Sequence, residues 1–223
     1  RRAAKMVIVD IDHPDIEAFI NWKVTEEQKV AALVTGSVLC ERHLKEIMKA
    51  CHITGLDEGE RHDPARNGAL ARAIKNASSD AVPVNYIHRV IQFARQGYDD
   101  ISFGTYNTNW DSDSYQTVSG QNANNSVRVN DQFMEAVQND AVWHLTSRTD
   151  GSIARTVNAR SLLNEIPQAT WQCADPGLQF DTVINDWHTC PGDGRINASN
   201  PCSEYMFLDD TACNLASLNL MKF

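Results

Sequence analysis

Residues 6–11 form a dense apolar run with Val7, Ile8 and Val9 at its centre, a β-branched pattern that predicts a buried strand. His13-Pro14-Asp15 then predicts a helix start, with Pro14 in the first turn and Asp15 and Glu17 complementing the positive helix end. Ile16, Phe19 and Ile20 share one face of that helix. Strand, short turn and amphipathic helix make an α/β unit. A second helix is predicted over 38–51, where Leu39, His43, Leu44, Ile47, Met48 and Cys51 lie near one face and Gly55 follows the end. Residues 53–66 read as a polar loop. Helices are predicted over 69–76 and 84–95, the latter opened by Pro83, closed near Gly97, and apolar at Ile87, Val90, Ile91 and Ala94.

The pattern changes over 98–126, where Asp, Asn, Ser, Thr, Tyr and Gly dominate and Lys and Arg are absent. A polar stretch of that length inside a compact domain is functional or mobile. A short strand is predicted over 126–129, followed by a helix over 131–138 capped by Asn130. Residues 141–146 and 152–156 flank Asp150-Gly151, a hairpin signal. A short helix over 159–166 comes next, then a mixed stretch to Pro191, then a loop over 192–198.

Composition narrows the function classes. The 223 residues are 42% apolar and 22% charged, ordinary for a soluble globular protein. A net charge of −9 and a pI near 5.2 argue against a general nucleic-acid binder, which needs a basic surface. They leave room for nucleotide substrates on a local basic patch. No run approaches the ~20 apolar residues of a membrane span, and no secretory signal is seen. The six cysteines, at 40, 51, 173, 190, 202 and 213, form no Cys-x-x-Cys pair and are too sparse for a disulfide scaffold, so a reducing, cytoplasmic setting is expected. The chain starts at Arg1 and ends two residues after Met221, and reads as an internal piece of a longer protein.

Chemistry concentrates near the carboxyl end. In Asn200-Pro201-Cys202-Ser203-Glu204 a thiol lies between an amide and a carboxylate, and Cys213 follows eleven residues after Cys202. As a loop, this segment can turn three polar side chains toward one small substrate. The thiol can do one-electron or nucleophilic chemistry, the carboxylate can take a proton and the amide can hold a hydroxyl. Singly, each has a plain structural reading: an inert thiol, a solvated carboxylate, a turn residue before proline. Their joint occurrence favours the functional one. His188 and Cys190 have no matching second pair of ligands, so no metal site is expected, and no glycine-rich phosphate loop is present.

Asn200–Glu204 followed by Cys213-Asn214-Leu215-Ala216-Ser217-Leu218-Asn219-Leu220 resembles the active-site segment of ribonucleotide reductases, especially the adenosylcobalamin-dependent (vitamin B12, class II) large subunits. Further blocks in family order carry the likeness: Arg1–Met6 with Asp12–Ile16 and Trp22-Lys23, Gly120–Val129, and Asp175-Pro176-Gly177 with Phe180, Asn185 and Trp187–Cys190. The resemblance implies that residues 1–223 are a single partial domain with no internal boundary. They would be the central portion of a ten-stranded α/β barrel with the radical cysteine on an inner loop. It implies reduction of ribonucleotides to 2′-deoxyribonucleotides for DNA synthesis. Cys202 would be the hydrogen-atom abstractor as a thiyl radical, Glu204 would take the 3′-hydroxyl proton, and Asn200 would orient the ribose hydroxyls. Cys213 would be half of the reducing dithiol, its partner lying upstream of this chain, so the piece alone is expected to be inactive. Arg1 and Arg2 match the end of a substrate–effector loop, or are surface arginines. The implied cofactor is adenosylcobalamin. Implied partners are a ribonucleotide substrate, deoxynucleotide and ATP effectors, a thioredoxin- or glutaredoxin-type reductant and a second parent subunit, with no nucleic acid and no membrane. Three alternatives stay open: the diiron- or dimanganese-radical branch of the same reductases, a non-catalytic fragment of the fold, and a thiol-based metal-binding module.

Overall fold

A computed structural model describes residues 5–223; Arg1 and Arg2 lie outside the described residues. Helices and strands alternate as an α/β fold. The chain separates into two compact units, one made of residues up to Glu27 with Ser119–Phe223, the other of Gln28–Val118. The sequence predicts no boundary inside 1–223. The division follows from two separate apolar cores, one built around parallel strands and one from helices alone.

β1 (Lys5–Asp10) forms where the β-branched run predicts it. α1 (Ile16–Ile20) buries Ile16, Phe19 and Ile20, as the pattern requires. Pro14 falls before the helix because a tight turn intervenes: His13 N–H donates to Asp10 O, and Ile16 N–H to His13 O. α2 (Trp22–Cys51) runs thirty residues and starts well before residue 38. Within 22–37 only Val24, Val30 and Ser37 are buried, too sparse a set to show as a stripe.

The second unit contains most of α2 and four further helices: α3 (Glu58–Arg61), α4 (Gly68–Ser79), α5 (Val84–Arg95) and α6 (Asp113–Gln116). Leu44, Ile47, Met48 and Cys51 of α2 share a core with Leu70, Ala73 and Ala77 of α4 and the predicted face of α5. Buried Asn67 fixes the α4 start: its Oδ1 accepts from Ala69 and Leu70 N–H, and its Nδ2 donates to Ala50 O and Arg61 O. Capping and cross-linking through one side chain satisfies donors that a helix start would otherwise leave unpaired.

The first unit continues with β2 (Ala123–Val129), α7 (Asp131–Gln138), β3 (Val142–Thr146), β4 (Ile153–Asn158), α8 (Ala159–Cys173), β5 (Gly177–Phe180), α9 (Asp181–Asp186), β6 (Ala198–Ser199) and β7 (Met206–Phe207). β1, β2 and β5 form a parallel sheet with β2 central, in the register Ile8↔Ser126 and Arg128↔Gln179. β3 and β4 form the hairpin predicted around Asp150-Gly151. Asn130 caps α7 through Phe133 N–H (2.8 Å), and Asn158 caps α8 through Ser161 N–H (2.8 Å). α8 runs past Ile166 through Pro167 to Cys173, because Ile166 and Ala169 stay in the core and hold the helix together across the missing donor. β5 and α9 arise in a stretch where the sequence pattern predicts no element. Val127, Val129, Phe133, Leu145 and Leu162 centre this core, and Phe133 meets Trp143 edge to face (5.2 Å between centroids).

Candidate active site

The Asn200–Glu204 segment is the tip of a small antiparallel hairpin. β6 and β7 pair Ala198 with Phe207 and Ser199 with Met206, which leaves residues 200–205 as the connecting loop. The loop closes on itself through Asn200. Its N–H donates to Tyr205 O (3.2 Å), its carbonyl accepts from Ser203 N–H (3.0 Å), and its Oδ1 accepts from Tyr205 N–H (3.1 Å). Ser203 turns the chain with φ +63°, the left-handed region that non-glycine residues visit mainly in such turns.

The hairpin is tied to the parallel sheet at two places. Asn124 Nδ2 of β2 donates to Pro201 O (3.0 Å). Gln179 Nε2 of β5 donates to Ser199 Oγ (2.8 Å) and lies 3.4 Å from Ser203 Oγ. Gln179 is buried, as is its register neighbour Arg128, whose NH1 donates to Gln179 Oε1 (3.1 Å). Arg128 also donates to Asp181 Oδ1 (2.7 Å) and Ile196 O (2.5 Å), so the buried guanidinium is neutralised and fixed.

Cys202 and Glu204 are both exposed on the loop. Asn200 and Cys213 are partly buried and line a cavity of about 460 Å³ with Tyr205, Phe207 and Leu208. Tyr205 Oη donates toward Thr211 Oγ1 (3.1 Å), which holds the Cys213 segment against the hairpin. The structure therefore brings Asn200 and Cys213 to one cavity and presents Cys202 and Glu204 beside it on the loop surface. Asn200 differs from a free pointing amide, since its oxygen is engaged by the loop; its Nδ2 has no hydrogen-bond partner among the described residues. All six cysteines are free thiols.

His188 packs its ring edge to face on Phe207 (5.6 Å). Cys190 Sγ donates to Asp193 Oδ2 (3.0 Å), and that hydrogen bond holds the thiol above its ordinary pKa. Among the described residues no group of three or more His, Cys, Asp or Glu side chains is arranged to hold a metal ion. A larger cavity of about 1030 Å³ opens beyond the ends of β1 and β2, and none of the four predicted catalytic residues lines it. Among its charges, Asp181 pairs with both Arg128 and Arg195, the latter at 2.6 Å.

Gln179, Ser199 and Asn124 are not among the site residues that the sequence predicts. The usable signal is Arg128, a charge between Val127 and Val129 at the end of a buried strand, which has to find buried partners on the neighbouring strand.

The sequence pattern of the ribonucleotide reductase barrel domain matches residues 1–223. The vitamin B12-dependent ribonucleotide reductase of Agrobacterium fabrum (strain C58) is 64% identical over the whole of this chain, which spans 18% of that protein. The protein of the same name from Bradyrhizobium diazoefficiens is 60% identical, with the same coverage. That of Streptomyces avermitilis is 44% identical over the full chain and 16% of its own length. No helix of the described residues is long and apolar enough to cross a membrane. A match that runs from end to end, with the cysteine hairpin inside it, settles descent: the chain belongs to the ribonucleotide reductase barrel-domain family.

Proposed function

We propose that this chain supplies the radical-cysteine hairpin of a vitamin B12-dependent ribonucleotide reductase, which converts ribonucleotides to 2′-deoxyribonucleotides. The observation that carries the reading is the hairpin itself: an exposed thiol and an exposed carboxylate two residues apart on a loop bonded to the parallel sheet. In this reading β1, β2 and β5 belong to a ten-stranded barrel that the rest of the protein completes.

Loss of the ribose 2′-hydroxyl needs activation, because hydroxide leaves poorly from an unactivated carbon. A thiyl radical on Cys202 takes hydrogen from C3′ and becomes the thiol. Glu204 accepts the 3′-hydroxyl proton, and Asn200 donates through Nδ2 to a ribose hydroxyl. The C2′–O bond breaks and the oxygen departs as water. Cys213 and a second thiol supply two electrons and two protons and end as a disulfide, and Cys202 returns its hydrogen to C3′. The sum is ribonucleotide plus dithiol giving deoxyribonucleotide, disulfide and water. Rigid placement of the thiol and base against the ribose is the protein's contribution.

The exposure of Cys202 fits a cofactor that reaches the thiol from outside this chain, and Cys202 is the residue that would face it. When bound, adenosylcobalamin supplies the one-electron oxidation of the thiol. In the full-length protein we expect regulation by deoxynucleotides and ATP, reduction of the disulfide by a thioredoxin- or glutaredoxin-type protein, and pairing of two subunits.

The test is turnover by the full-length protein with adenosylcobalamin, a ribonucleotide and dithiothreitol. Cys202→Ser is expected to lose all product. Cys213→Ser is expected to lose turnover with dithiothreitol while still consuming the cofactor. Full activity in Cys202→Ser would sink the reading. Activity that requires an added metal-radical subunit would move it to the other branch of the family.

A further inference from the structure

Resting on that reading, we infer that Gln179, oriented by Arg128, is the positioning residue for the radical-cysteine loop. Arg128 can only donate hydrogen bonds, so the Gln179 amide oxygen must face it and the NH₂ must face the hairpin. The NH₂ has two hydrogens and meets two hydroxyls, Ser199 Oγ at 2.8 Å and Ser203 Oγ at 3.4 Å. Ser199 Oγ in turn donates to Asn200 O at 2.9 Å. The two serines bracket the loop: one ends β6, and the other directly follows Cys202 in the left-handed turn.

The chain Asp181–Arg128–Gln179–Ser199/Ser203 therefore runs from the carboxylate that opens α9 to the residue beside the thiol. Its inner members are almost fully removed from water, Arg128 at 2% and Gln179 at 3% exposure. This buried amide has one low-energy orientation, because the flip sets its NH₂ against the guanidinium of Arg128, donor against donor. Arg128 and Gln179 are direct neighbours across the parallel strands, so the sheet register transmits its geometry to the loop. The hairpin strands are two residues each and cannot hold the tip rigid alone. Gln179 makes no hydrogen bond to Cys202 and does not line the cavity beside Cys213, so it acts through the loop.

The test uses the full-length enzyme. Gln179→Met keeps the length and apolar bulk of the side chain and removes its donors and acceptor. Misplacement of a reacting group by about 1 Å can cost on the order of a hundredfold in rate. A kcat lower by roughly ten- to a hundredfold is expected, with KM for the ribonucleotide unchanged and faster amide exchange at Ser203 and Tyr205. Ser199→Ala/Ser203→Ala removes the same two acceptors without touching the buried pair and should give a similar loss. Adding Gln179→Met to it should lower kcat little further, since the changes act on the same two contacts. A wild-type kcat in the double-serine variant overturns the proposal, whatever the fate of Gln179→Met. So does a raised KM with unchanged kcat, which marks a substrate contact. Cys202→Ser runs alongside: if it is inactive while the Gln179 and serine variants are unimpaired, the positioning role falls and the proposed function stands. If Cys202→Ser retains turnover, both fall.

Discussion

Cys51 and Cys202 carry the same functional group in opposite surroundings. Cys51 has no exposure, and burial among the helices of the second unit pushes its thiol up to about 11, against a smaller opposite pull from Arg95. Cys202 is exposed at a hairpin tip. Only the thiolate is nucleophilic, so burial protects Cys51 both by access and by charge. Iodoacetamide at mildly alkaline pH is expected to label Cys202 and leave Cys51 unmodified until the chain unfolds, as read by peptide mass mapping. Equal labelling in the native protein would contradict the burial. The same shift fixes a pH dependence. The folded state prefers the neutral thiol, so this contribution to stability is complete below the unfolded value of 9.0 and is lost as pH rises toward about 11. Cys51→Ala should flatten that alkaline loss in urea titrations, while lowering stability at neutral pH by leaving a void.

At the scale of elements, the sheet has one close approach that a methyl group would break. Gly177 opens β5 opposite Ser126, and a Cβ added there would sit 2.9 Å from Ser126 Oγ. Gly177→Ala is expected to destabilise by roughly 1–3 kcal/mol through overpacking. Ser126→Ala/Gly177→Ala should recover most of the loss, because the clashing atom is gone. Additive costs in urea unfolding would show that the strand spacing, not this contact, sets the penalty. The elements legible in the sequence were those with local punctuation. α5 lies between Pro83 and Gly97, whose φ of +92° ends it, and α7 starts at the Asn130 cap. The β3–β4 hairpin announced itself by Asp-Gly, and the residue types of the 200–204 loop stood out because thiol, amide and carboxylate rarely meet by chance. What was not legible depended on distant partners. α8 continues through Pro167 because core residues on both sides of it are buried. β5 carries a buried Gln179, which reads as polar in sequence and is satisfied by Arg128 one strand away and by the Ser199 and Ser203 hydroxyls of the hairpin. The engagement of Asn200 Oδ1 by Tyr205 N–H is likewise a property of the closed loop and not of the motif.

For the whole molecule, the question is what 223 residues do without the remainder of a chain of which they are 18% in the relatives from Agrobacterium and Bradyrhizobium. Among the described residues β1 and β5 each pair with β2 on one side only, so two strand edges carry unpaired donors and acceptors. Val7 on β1 is exposed, and the carboxyl-terminal stretch exposes Leu215, Leu218, Leu220, Met221 and Phe223. Open edges and contiguous apolar surface favour self-association. The net charge of −9 opposes it. At physiological ionic strength that repulsion is screened beyond about 8 Å, whereas burial of apolar surface needs no long range. Association should therefore win, and it should strengthen as salt is added. Sedimentation velocity on the 223-residue chain is expected to show concentration-dependent oligomers that grow with ionic strength. Replacing Leu215, Leu218 and Leu220 together by Ser separates the two sources: a shift to monomer assigns association to the tail, and persistence assigns it to the sheet edges. A wild-type chain that stays monomeric at high salt and unfolds cooperatively would show that these surfaces tolerate water, and that the two cores suffice without the rest of the protein.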